Sequence, residues 1–208
     1  MEKGVLSDLQ EQNRYDNDKL PLLEPIGEIE IKEFSPIIEN SLSIIKQASP
    51  LFFEEFLVYV SEIKLFRSER LVGMTDPRAF GTIYMAVPHL SDLRPEVYFC
   101  EHIIHETSHL HLDTLFSLDK LILNSPEERY SAPIRPDPRP MYGIFHATFV
   151  LSRMIKLFKI ISSSSPCTTY MDCLELFQTQ FTNGYKVIKE YGKLTINGNK
   201  ILESFSTI

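Results

Sequence analysis

The sequence predicts a mainly helical domain with a few short strands, an α+β arrangement around one buried helix packed on a second apolar helix. Two observations carry this. Residues 96–118 and 141–161 hold apolar side chains almost all round a helical wheel, as buried helices do. IGEIEIKEF (26–34) alternates apolar and charged residues, and AFGTIYMAV (79–87) is rich in strand-forming types. With 208 residues, 43% hydrophobic and 24% charged, the chain suits one soluble domain, so 1–208 is read as a single domain.

The net charge of −7, without a basic cluster, argues against nucleic acid or an anionic membrane as partner. Three cysteines (Cys100, Cys167, Cys173) form no Cys-x-x-Cys pair, so a reducing cytoplasm is the expected setting. The first twenty residues have no apolar core of a signal peptide, and no run is long enough to span a membrane. The oligomeric state has no signature in the sequence.

In chain order, residues 1–20 are polar and expected to be mobile or to form a short docking helix. Leu20-Pro21 and Glu24-Pro25 mark extended backbone, because a residue before proline avoids helical angles. A strand is expected over 26–34, and Ser35-Pro36 reads as cap and first position of a helix to about Ala48. Residues 52–66 read as helix and then strand, with FLVYVSEIKLF the strand-like part. A loop is expected over 68–78 and a strand over 79–87. Pro95 and Glu96 open the long helix to about Leu118. Residues 124–140 form a connection with five prolines and three arginines, a length usually functional or disordered. Helices follow over 141–161 and Thr168–Tyr191, with a linker at 162–167 and a tight turn at Asn197-Gly198.

The chemistry concentrates in EHIIHETSHLHLDTLF (101–116), which holds four of the six histidines. His105-Glu106-Thr107-Ser108-His109 matches H-E-x-x-H. Positions i and i+4 share a helix face, so both imidazoles can reach one metal ion, with Glu106 at the edge of that face. The plain alternative is a buried helix whose histidines bond only to backbone. His102 and His111 read as supporting or surface groups, and Cys100 as a small core residue. Tyr84 reads as core packing or the lining of a peptide groove.

A catalytic metal needs a third protein ligand. Leu112 and Leu115 stand where a metzincin has glycine and histidine. Glu127 or Glu128 would be a downstream glutamate, but both fall in the proline-rich connection. Asp113 continues the His105/His109 ridge by one turn. His146, at the start of the second apolar helix, would complete a three-histidine set; its plain reading is a core histidine.

HETSHLHLDTL followed by RYSAPIRPDPRPMYGIFHATFV resembles the HExxH-type peptide-modification proteins, 2-oxoglutarate-dependent peptide β-hydroxylases of ribosomal-peptide pathways. The resemblance covers about residues 79–160 and rests on His105, Glu106 and His109; Ser131 and Arg135; Arg139-Pro140 with Gly143; and His146. Ala132 stands where the pattern has proline. The ending KLTINGNKIL also fits.

The resemblance implies Fe(II) on His105, His109 and His146, with 2-oxoglutarate as co-substrate and a peptide as substrate. It makes Arg135 and Arg139 candidates to grip the distal carboxylate, ahead of Arg153, because a guanidinium can hold a carboxylate by two parallel hydrogen bonds. Glu106 then orients a ligand or water. Imidazole ligands alone suit Zn(II) equally, which leaves a zinc metallopeptidase with Glu106 as general base as one alternative. A metal-free peptide-binding protein is the other.

Overall fold

The computed structural model describes residues 23–68, 71–88, 94–164 and 166–205. It is mainly helical with one small sheet, as the sequence predicts. The expectations for residues 1–20 and for Leu20-Pro21 lie outside the described residues. Two compact units divide the chain, 1–110 and 111–208.

The first unit opens with β1 (Glu24–Pro25), then α1 (Glu28–Ala48) and α2 (Pro50–Tyr59). β2 (Glu62–Arg67), β3 (Gly73–Thr75) and β4 (Thr82–Ala86) follow. The sheet order is β1-β2-β4-β3; β2 and β4 are parallel, and the outer pairs are antiparallel. The long helix α3 (Pro95–Leu118) begins in this unit and runs past its end.

Three local expectations change. Residues 28–34 are helical, not a strand, and Pro36 lies inside α1 rather than at its start. Gly27 caps the helix, and its N–H donates to Glu30 Oε2 at 3.1 Å. Helical spacing then buries Phe34, Ile38, Ser41 and Ile45, while Ile29, which fits only the alternation, is 84% exposed. Residues 56–59 belong to α2, since Ser49 accepts a hydrogen bond from Phe52 N–H and Pro50 starts the helix. The 68–78 stretch contains β3 as well as loop, because Gly73, Met74 and Thr75 pair with β4.

α3 is fixed to this unit by its first turns. Tyr98 Oη donates to Ala86 O at 2.9 Å, at the end of β4, and Ser41 Oγ of α1 donates to Glu96 O at 3.2 Å. Phe99 meets Phe34 edge-on at 5.9 Å between ring centroids.

The second unit comprises the end of α3, then α4 (Met141–Ser164), α5 (Thr168–Tyr191) and α6 (Ile196–Ser204). Phe116 of α3 packs on Tyr142 and Phe145 of α4, as the sequence expects of its two apolar helices. α4 and α5 pack along their lengths, with Phe158 between Tyr170 and Phe177. α4 runs three residues beyond the predicted 161. Asn197-Gly198 is not a turn but the first part of α6: Thr195 Oγ1 accepts from Gly198 N–H at 3.1 Å, so a side-chain cap starts a helix there.

No helix among the described residues is long and apolar enough to cross a membrane.

Asp76 anchors the turn before β4. It is 3% exposed and accepts from Arg78 N–H at 2.8 Å and from the Arg78 guanidinium at 2.6 Å, which holds its carboxyl below the usual carboxylate range. A depressed folded-state pKa gives stability that is present above the unfolded value and lost as pH falls through the folded one. Asp76→Asn is therefore expected to lower stability by about 1–2 kcal/mol near neutral pH. Its deficit should shrink once pH falls below the depressed pKa, and urea denaturation across that range measures this.

Candidate metal site

Along the half-buried face of α3, Glu101, His105, His109 and Asp113 fall four residues apart. The neighbouring positions are apolar and fully buried: Phe99, Ile103, Ile104 and Leu110. The four-residue spacing stacks these four polar side chains on one ridge, one turn apart.

His105 Nε2 and His109 Nε2 lie 2.8 Å apart, with ring planes at 68°. At that separation either one ring N–H donates to the other nitrogen, or both lone pairs face a common cation. Two nitrogens each about 2.1 Å from one ion stand about 3 Å apart at ordinary coordination angles. The pair therefore fits two positions of a metal's coordination sphere. Among the described residues, no three His, Cys, Asp or Glu side chains are gathered so as to hold a metal ion.

Glu106 turns away from the ridge. It is 3% exposed, and a methyl group added at Gly73 of β3 would lie 2.6 Å from its Oε1. Its Oε2 has no hydrogen-bond partner among the described residues, nor has Thr107 Oγ1. Burial pushes the Glu106 carboxyl up to about 8. A buried acceptor in this state is costly unless a ligand or water meets it.

The remaining candidates divide between the units. His146 lies in the second unit, its ring against Phe116 at 6.4 Å and Tyr142 at 5.5 Å, and burial lowers its pKa to about 4, so the imidazole is neutral. Neutral imidazole is the form that ligates a metal. Glu128 is engaged by Asn124, Tyr130 and Lys193, which removes it as a zincin-type ligand. Burial also raises the Asp113 carboxyl.

Both arginine candidates lie in the 124–140 connection. Arg135 is exposed, and Arg139 Nε stands 2.7 Å from Asp137 Oδ2. Arg153 reaches His111 Nδ1 at 3.2 Å and lies over the Phe149 ring. His102 Nδ1–H donates to Tyr98 O, 2.8 Å away, and its ring stacks on the Tyr98 ring; it is a buried supporting group. Cys100 and Tyr84 are core residues.

One residue of the ridge escapes the sequence reading. Glu101 sits one turn before His105, and burial raises its carboxyl to about 7. The spacing that extends the ridge forward to Asp113 extends it equally backward to Glu101.

Comparison with known proteins finds no family model that matches this chain and no matching curated protein.

The Glu106–Gly73 contact is directly testable. Gly73→Ala places a methyl group against the end of the Glu106 side chain, which must turn out of its rotamer, so stability should fall by about 0.5–1.5 kcal/mol. The double variant Gly73→Ala/Glu106→Ala should recover part of that loss in thermal unfolding, because the second change removes the obstruction.

Proposed function

We propose that this protein is an Fe(II)- and 2-oxoglutarate-dependent oxygenase that hydroxylates a side-chain β-carbon of a peptide. The observation that carries the metal is the 2.8 Å approach of the His105 and His109 ring nitrogens on one turn of a buried helix. Support for iron and 2-oxoglutarate over zinc comes from the resemblance of the His105–His109 helix and the Arg135–His146 block to the peptide β-hydroxylases.

In this reading His105 and His109 hold the ion and His146 is the third ligand. Arg135 or Arg139 grips the distal carboxylate of 2-oxoglutarate. Iron held by these residues would supply oxygen activation, with 2-oxoglutarate, oxygen and a peptide C–H bond giving the hydroxylated peptide, succinate and carbon dioxide. Glu106 orients its surroundings from beside the ridge. Its place against Gly73 favours that role over the general base a metallopeptidase needs, which must reach the bound water. An odd cysteine count without a Cys-x-x-Cys pair supports a reducing, cytoplasmic setting.

The test is anaerobic iron titration followed by turnover. The parent should bind one iron, and His105→Ala, His109→Ala and His146→Ala should each weaken binding more than about tenfold. With iron, 2-oxoglutarate and oxygen, the parent should form succinate and add one oxygen atom to a peptide. Retention of the metal by His146→Ala, together with peptide cleavage by the zinc-loaded protein, would establish the metallopeptidase instead.

A further inference from the structure

The first unit holds a cleft of about 730 Å³ between α1 and the β1–β2 side of the sheet. That size lies within the range of ligand-binding clefts, about 300–1,000 Å³. The α1 wall carries Ile31 and Ile38, and the opposite wall is formed by consecutive residues of β2, Glu62 through Phe66. Ile31 is 46% exposed although it faces other apolar side chains.

The backbone of β2 explains what such a cleft can take. β2 presents alternate peptide groups to its two neighbours. Glu62 N–H donates to Gly81 O, and Phe66 O accepts from Val87 N–H, so residues 62, 64 and 66 face the β4 side. Residues 63, 65 and 67 therefore face β1. β1 pairs only with Phe66 and Arg67 before the chain turns at Gly27 into α1. The Pro25–Phe66 pairing sets Ile26 opposite Leu65; beyond it, among the described residues no strand pairs with the peptide groups of Ile63, and both Ile63 and Leu65 line the cleft. An unpaired strand edge is a template for another strand.

The rim supplies charge. Glu24, Glu39 and Glu62 border the cleft against a single lysine, Lys64, which lies 3.6 Å from Glu62. All three carboxylates belong to exposed residues.

We infer that this cleft docks an extended basic peptide, which adds to the edge of β2 at Ile63, in line with β1, as a further strand. Backbone hydrogen bonds to the N–H and C=O of Ile63 hold its register. Apolar side chains at every second position enter between Ile31, Ile38 and Leu65, while lysine or arginine at the others meets Glu24, Glu39 and Glu62. The inference deepens the peptide-oxygenase reading and rests on it only in calling the docked peptide a substrate.

The test uses the full chain and a fluorescent nonapeptide of alternating lysine and leucine, followed by anisotropy. The charge reversal Glu24→Lys/Glu39→Lys/Glu62→Lys should weaken binding at least about tenfold, and a peptide with lysines replaced by glutamates should bind the parent correspondingly worse. N-methylation of alternate peptide nitrogens should also weaken binding about tenfold, which loss of charge pairing alone would not cause. His105→Ala should leave docking unchanged while abolishing iron binding, so failure of the oxygenase reading and failure of this one are separable. Binding indifferent to both the charge reversal and N-methylation would overturn the inference. So would a dimer in sedimentation that is lost on Ile31→Asp, since the cleft would then be filled by a second copy of the chain.

Discussion

The constraint on which the site depends is the burial of polar groups along a largely apolar helix. Beside the His105/His109 ridge, Glu106 Oε2 and Thr107 Oγ1 are enclosed without hydrogen-bond partners among the described residues, each at a cost of about 1–3 kcal/mol. The same stretch of α3 buries Phe99, Ile103, Ile104 and Leu110 completely, at about 1.5–3 kcal/mol each. Four such side chains outweigh two unsatisfied atoms, so the helix tolerates a local defect while remaining rigid. Rigidity matters because two imidazoles one turn apart converge only when the backbone between them keeps its pitch.

The first unit holds that helix in place through contacts at its beginning. Tyr98 ties it to the end of β4, and Ser41 ties it to α1. β3 then approaches so closely that a methyl group at 73 would lie 2.6 Å from Glu106 Oε1. The short strand overlooked in the sequence thus shapes the site more than its three residues suggest.

Legibility followed the range of the interaction. α3 and α5 were readable because caps, prolines and apolar periodicity are local, and the His105/His109 pair is set by helix pitch alone. Residues 26–34 misled because Ile29 and Ile31 alternate with charges. The helix wins through the Gly27–Glu30 cap and the burial of Phe34 and Ile38, and leaves Ile29 in solvent. β3 has too few residues to show a period, and its existence depends on β4. Asn197-Gly198 has turn composition, but Thr195 three residues before Gly198 gives the stronger signal of a capped helix. Within the site, Glu101 could have been found from spacing alone. No local rule relates position 146 to 105 and 109, so spacing alone names no third ligand.

The proline-rich connection bears on the co-substrate in a way its composition conceals. Tyr130 and Arg139 exchange two backbone hydrogen bonds, at 2.8 and 2.9 Å, closing residues 131–138 into a loop. Asn124 fixes the start of the segment by donating to Tyr191 O and accepting from Lys193 N–H. Pro133 lies so near Gly184 of α5 that a methyl group there would meet it at 3.2 Å. The loop is therefore held by its backbone and packing, and the Arg139–Asp137 ion pair is additional. With side chains 39% and 49% exposed, that pair contributes about 0.2–1 kcal/mol. Charge-assisted hydrogen bonds from a guanidinium to a carboxylate contribute about 1.5–3 kcal/mol. Loss of the Asp137 contact would therefore leave the loop in place, and the exposed pair with Asp137 is no obstacle to the carboxylate grip proposed for Arg139.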